Sequence, residues 1–172
     1  MSPETAAVEP MGPLGIVLIV LGFLVFFPLM WFGVTGLLSV LGGWHELGAS
    51  YAAGPAAREG RPAGRWVTGG MQRMLFPVSY RNCLNVSLYA DGFGLSVARV
   101  FRFRHPPLFI PWTAVGDCEE RGSFWRYTRI TLHASGVRIL IGGRAGREVR
   151  EQWMRARAAS DSNAMLAHTP AR

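Results

Sequence analysis

The side chains able to do acid–base, nucleophilic or metal chemistry are few in this chain and widely spaced. Four histidines stand at His45, His105, His133 and His168, and no two have a metal-ligand spacing such as H-x-x-x-H. Cys83 and Cys118 permit one disulfide and require none. Neither has a second ligand at metal-site spacing, so both read as small buried residues. Asp117, Glu119 and Glu120 form an acidic cluster whose simplest role is a solvated strand end, with cation binding as the alternative. Asp91-Gly92-Phe93-Gly94 reads as a hairpin turn, since nothing else in the chain belongs to a kinase. There is no G-x-S-x-G elbow, no P-loop and no G-x-G-x-x-G after a strand. The expectation is a non-enzymatic protein with no catalytic, cofactor-binding or metal-binding residues and no cofactor.

One segment concentrates charge and aromatic surface. Arg99, Arg102 and Arg104 alternate with Phe101 and Phe103, and His105 follows, just before Pro106-Pro107. Such a run suits a half-buried strand with its phenylalanines inward, which ranks first. It also suits a loop on anionic lipid, which ranks second. Stacking on single-stranded nucleic acid uses the same residue types but ranks a distant third. Arg99, Arg102, Arg104 and His105 are therefore the candidate contacts to anionic lipid or to a partner. His105 itself is expected to be an exposed loop residue, with pH sensing or anion binding as the sharper alternative.

What positions these residues begins with the membrane. No charged residue occurs from Met11 to Gly43, and all 18 basic residues, every one an arginine, lie beyond that stretch, starting at Arg58. An arginine-only basic complement marks a GC-rich genome before it marks phosphate binding. The net charge of +7 belongs to the part after the apolar stretch and fits nearness to anionic head groups. Leu14 to Leu41 supplies a transmembrane helix roughly 42 Å long, against a hydrocarbon core of about 30 Å. The excess calls for tilt, a kink at Pro28 or a last turn in the interface. Neither half about Pro28 is long enough to cross alone, which disfavours a hairpin. The leader carries Glu4 and Glu9 and no arginine, unlike a signal peptide, so the helix reads as an uncleaved anchor. The placement of arginines predicts an N-terminus outside and a C-terminal domain in the cytoplasm. Thr35, Ser39 and Gly43 recur every four residues and form a candidate helix-packing seam. Trp31 lies too near the centre to be an interface anchor, whereas Trp44 is placed as an aromatic-belt residue.

Beyond the span, Trp44, Leu47 and Tyr51 share one face of a short interfacial helix. Residues 52–70 are rich in Gly, Pro, Ala and Arg and read as a linker. From Met71 the pattern becomes period two. Leu84, Val86 and Leu88 alternate with polar residues, Asp91-Gly92 turns, and Phe93, Leu95 and Val97 resume, which is a hairpin. Leu108 to Trp112 is a short strand, and Pro111 places it at an edge or a bulge. Tyr127 to His133, and then Val137, Ile139 and Ile141, complete the strands. A helix follows from about Arg144 to Ala158, with Ala145, Val149, Trp153 and Ala156 in one narrow stripe. The predicted organisation is a leader over 1–13, a transmembrane helix over 14–41 and a juxtamembrane segment with linker over 42–70. A β-domain with a C-terminal helix over 71–158 and a flexible tail over 159–172 complete it. The predicted class is α+β: six to seven antiparallel strands in a pleckstrin-homology-like (PH-like) barrel.

These residues also carry a resemblance. The chain resembles a group of small bacterial membrane proteins with an apolar N-terminal helix and a Gly-Trp-x-x-Leu segment closed by a tyrosine, here Gly43 to Leu47 with Tyr51. The same group has an Asn-Cys-Leu strand start, here Asn82-Cys83-Leu84, and a Pro-Pro-Leu-Phe-Ile-Pro-Trp strand, here Pro106 to Trp112. Ile110-Pro111-Trp112 also resembles a strand of bacterial PH-like domains. The resemblance implies location and fold: a single-pass protein of a bacterial plasma (inner) membrane with a cytoplasmic binding module. It sets no chemistry. The expected partners are the bilayer, anionic head groups and a protein in the membrane, with nucleic acid unlikely. Two rivals remain open: a structural subunit assembling through Thr35, Ser39 and Gly43, and a membrane-bound enzyme.

Overall fold

The structure, a computed structural model, describes residues 12–53, 60–73, 77–123 and 126–167. The leader before Gly12, Arg58 and His168 lie outside them. The chain divides after Val34 into two compact units. Helix α1, Pro13–Gly42, is the one helix among the described residues long and apolar enough to cross a membrane. It stays helical through Pro28. In the first unit its large apolar side chains, Leu14 to Val34, are exposed all round apart from the half-covered Trp31. The 21 residues from Leu14 to Val34 rise roughly 32 Å, which matches the thickness of a hydrocarbon core. Phe23, Phe27 and Trp31 stack successively at centroid distances of 5.4 and 6.2 Å.

The second unit begins where the helix starts to bury small residues: Thr35, Gly36, Ser39 and Gly42. Gly43 breaks the helix at φ +84, in the left-handed region that costs other residues energy. Helix α2, Trp44–Tyr51, then turns the predicted face inward. Trp44 and Leu47 are fully buried in the domain core, with Tyr51 packed against it. Trp44 is thus a core residue and not an aromatic-belt residue. Its ring has apolar partners within the domain, and its indole N–H is satisfied there.

Seven strands follow: β1 Arg61–Gln72, β2 Pro77–Leu88, β3 Gly92–Val97, β4 Leu108–Pro111, β5 Val115–Arg121, β6 Tyr127–Leu132 and β7 Arg138–Gly142. They form one antiparallel sheet in the order β4-β3-β2-β1-β7-β6-β5, curled into a half-barrel. The α+β expectation of a long apolar helix, an antiparallel sheet and a closing helix is what the chain adopts. The hairpin over residues 84–97 pairs Leu84 with Val97 and Leu88 with Phe93. β4 is an edge strand, as Pro111 requires, and ends there; Trp112–Ala114 is a single 3-10 turn. Alternate residues of the strands, among them Leu84, Val86, Phe93, Leu95, Ile110, Ile130, Ile139 and Ile141, fill the interior.

The linker expectation over 52–70 is corrected for residues 61–70. Arg61 to Gly70 make up most of β1, which pairs with β2 along its length and with β7 over Gly69–Gln72. Three register shifts interrupt its pairing with β2, between Pro62 and Gly64, Gly64 and Val67, and Val67 and Gly69. Each bulge resets the alternation, so no period-two pattern survives in the sequence. At Gly69 a Cβ would stand 2.5 Å from the Leu140 carbonyl oxygen, a close approach that only glycine permits.

Helix α3, Gly143–Ala167, runs well past the predicted end at Ala158, which corrects the flexible-tail reading for residues 159–167. Ala145, Val149 and Trp153 are buried as their stripe predicts, with Ala156 packed beside them, against β1, β5, β6 and β7. The Arg157 guanidinium lies 5.5 Å from the Trp153 ring centroid.

Candidate functional site: a loop seated on the last turns of the first helix

The segment between β3 and β4 is where the structure gathers most of the candidate residues. It is not a strand, which corrects the first-ranked expectation for residues 99–104. Arg99–Phe101 is a 3-10 turn, and Arg102 to Arg104 continue as an irregular loop. The phenylalanines do not share an inward face. Phe101 is half-buried against the core, while Phe103 is 46% exposed and Val100 is 67% exposed. Arg99, Arg102 and Arg104 are all exposed.

Backbone hydrogen bonds set the loop's path. Phe101 N–H donates to Ala98 O at 2.9 Å, Arg102 N–H to Arg99 O at 3.2 Å and His105 N–H to Arg102 O at 2.9 Å. Two side-chain bonds then tie it to α1 and α2. The Ser39 hydroxyl donates to Arg104 O at 2.6 Å, and the Trp44 indole N–H donates to Pro106 O at 2.9 Å. A Cβ at Gly36 would stand 3.4 Å from Arg104 Cδ and 3.6 Å from Phe103 Cε1. The small residues at 36 and 39 therefore let this loop lie against the helix. Arg104 takes a left-handed conformation, φ +57, and Ser39 and His105 hold the carbonyls on either side of that bend.

His105 is the clearest difference from expectation. It is 2% exposed, not an exposed loop residue. Its ring packs edge-on against Trp44 at 5.2 Å and Tyr80 at 5.7 Å, and Trp44 and Tyr80 themselves meet at 5.5 Å. Nδ1 lies 2.8 Å from Phe103 O and Nε2 lies 3.1 Å from the Tyr80 hydroxyl. A carbonyl only accepts, so Nδ1 carries the proton, and the Tyr80 O–H donates to Nε2. Burial pushes the His105 pKa down, partly countered by the bond to Phe103 O. Burial, with the Cys83 thiol adding to it, pushes the Tyr80 pKa up, so its hydroxyl keeps the proton it donates. The pair is a neutral, internally satisfied hydrogen-bonded unit whose role is to fix the loop's C-terminal end.

The seam of Thr35, Ser39 and Gly43 is thus read differently. Thr35 and Ser39 are buried within their own chain, and Gly43 stands at the break between α1 and α2. The remaining candidates do not converge on this place. His45 and His133 are exposed on α2 and after β6. Cys83 and Cys118 are buried free thiols, and burial pushes Cys118 up to about 12. The acidic cluster on β5 is met by arginines: Glu119 accepts from Arg121 at 2.8 Å and Arg129 at 2.7 Å, and Glu120 lies 3.6 Å from Arg126. Hydrogen bonds from Arg121, then the nearby charges, hold the Glu119 carboxyl below its usual range. Among the described residues no group of three His, Cys, Asp or Glu forms a metal site.

What the sequence reading missed was Tyr80. It sits early in β2, among residues with no chemical motif around them, and only the fold brings it to His105. Comparison of the chain with family models, with curated proteins and with solved structures returns no match.

Proposed function

We propose that this chain is a single-pass protein of a bacterial inner membrane, with its N-terminus outside. Its β-domain is a cytoplasmic, non-catalytic PH-like module that works at the bilayer surface, with anionic lipid or a membrane protein as its partner and no cofactor. The carrying observation is that the last turns of α1 are part of the domain's own packing. Ser39 holds Arg104 O, and Trp44, just past the helix, lies fully buried beside His105 and Tyr80. Cleavage within or after these turns would strip a domain of residues that fill it, which favours an uncleaved anchor over a signal sequence. The PH-like reading draws on the strand order, on a long β1 that pairs with both β2 and β7, and on a C-terminal helix packed across β5, β6 and β7. The absence of arginine before the span and its abundance after it favour the stated orientation. The structural-subunit alternative loses weight because its seam is already buried within the chain's own fold. The test is extraction of native membranes at alkaline pH, followed by the mass of the retained chain. Retention at full length is expected. Release, or a chain shortened at its N-terminus past Pro13, would overturn the reading.

A further inference from the structure

We infer that the loop Arg99–Arg104 is a lipid-reading wedge. It lies in the head-group zone beside the last turns of α1, seats Val100 and Phe103 at the acyl boundary, and presents Arg99, Arg102 and Arg104 to the phosphates of anionic glycerophospholipids. This rests on α1 being a membrane anchor.

Three observations carry it. The first is height along the helix. The loop touches α1 at Gly36 and Ser39, and at that same level the helix exposes Leu37, Leu38, Val40 and Leu41. Four exposed apolar side chains over about one and a half turns belong in hydrocarbon or at its boundary, so the loop beside them shares that medium. The second is backbone satisfaction. Irregular backbone is tolerated at membrane depth only where its polar groups find partners. Here the carbonyls of Ala98, Arg99, Arg102, Phe103 and Arg104 each accept a hydrogen bond from the protein. The third is three arginines, unpaired among the described residues, gathered on one short loop, where elsewhere in the domain seven arginines are paired. Arg61, Arg73, Arg121, Arg126, Arg129, Arg144 and Arg155 all meet carboxylates. Among the described residues, no carboxylate lies within ion-pair reach of Arg99, Arg102 or Arg104. The Arg104 stem lies along the helix at Gly36, as an arginine does when its apolar part is buried and its guanidinium reaches for a phosphate. A protein partner offers no reason for apolar exposure to continue around the helix at the same level, whereas a bilayer does.

The test uses the full chain in nanodiscs of mixed phosphatidylglycerol and phosphatidylcholine. Val100→Cys carries an environment-sensitive nitrobenzoxadiazole label; Cys83 and Cys118 are buried, and the unsubstituted chain reports any labelling of them. Arg147→Cys on the exposed face of α3 is the aqueous reference. The expected result is blue-shifted emission at position 100, quenching by lipids doxyl-labelled near the head group, and protection from iodide. At equal mole fraction, doxyl-phosphatidylglycerol should quench more than doxyl-phosphatidylcholine. The joint Arg99→Gln, Arg102→Gln, Arg104→Gln variant should lose that preference, since each charge is worth about fivefold in local enrichment. Iodide quenching equal to that at position 147 would place the loop in water and overturn the inference. So would protection from both quenchers, which would mean a protein cover, or equal quenching by the two lipids, which would mean no reading of charge. A chain that alkali still fails to extract separates these failures from failure of the anchor itself.

Discussion

The Tyr80–His105 pair is held together by complementary needs. A buried imidazole with one nitrogen committed to Phe103 O leaves its other nitrogen requiring a donor, and Tyr80 is that donor. Tyr80→Phe removes the donor and leaves Nε2 buried without its partner, a loss of about 1–3 kcal/mol in chemical unfolding of the detergent-solubilised chain. An unchanged midpoint would mean the contact contributes nothing net. The pH dependence follows from the lowered His105 pKa. Above pH 6.5, the ordinary histidine value, the ring is neutral in both folded and unfolded chains, and stability does not depend on it. Below that value the unfolded chain takes up a proton that the folded chain refuses, so stability falls as the pH drops toward the lowered folded pKa. His105→Gln should flatten this fall across the same window in thermal melts at stepped pH. A slope equal to that of the unsubstituted chain would assign the fall to other groups. Nothing in the sequence around His105 distinguishes this buried role from an exposed one. Its neighbours Arg104 and Pro106 are exposed, and its partners lie 25 residues away at Tyr80 and further still at Trp44.

Elements were legible in proportion to how local their signals are. The hairpin over 84–97 and the narrow stripe of α3 follow from side-chain alternation and from helical spacing, and both are found as read. β1 was not legible. Its bulges erase the alternation, and its strand state is imposed by β2 on one side and β7 on the other. The break between α1 and α2 belongs to this scale too. A Cβ at Gly43 would stand 2.6 Å from Val137 Cγ2, on a backbone already at φ +84. Gly43→Ala should therefore cost about 1–2 kcal/mol for the left-handed conformation and a further ~1–3 kcal/mol for overpacking. The measurement is a denaturant midpoint beside that of Gly136→Ala, where a methyl meets open space. Equal midpoints would show that the turn adjusts freely. At the other end of the domain, Trp153→Ala removes the main anchor of α3, at about 3–5 kcal/mol less stability by the usual cost of emptying an aromatic site. Faster amide exchange along α3 should accompany that loss; unaltered exchange there would mean the helix is held by other contacts.

For the whole molecule, the decisive asymmetry is that of charge about an apolar helix. With no arginine before the span and 18 after it, proteolysis should spare the β-domain in intact spheroplasts and remove it in inverted vesicles. The opposite pattern would reverse the orientation. The sequence by itself determined the long apolar helix, the antiparallel hairpin and the amphipathic closing helix, because hydropathy and periodicity act over a few residues and need no partner. It also singled out Arg99, Arg102, Arg104 and His105, and separately Thr35, Ser39 and Gly43, as two unconnected features. Only the tertiary structure joined them. The contacts that do so, Ser39 to Arg104, Trp44 to Pro106 and Tyr80 to His105, span separations of 65, 62 and 25 residues. Long closures of this kind depend on how the sheet brings its loops around, and no local pattern encodes that. The same geometry accounts for the length of α1. Up to Val34 it is about as long as a hydrocarbon core is thick, and its last turns, from Thr35, are the post on which the loop is seated.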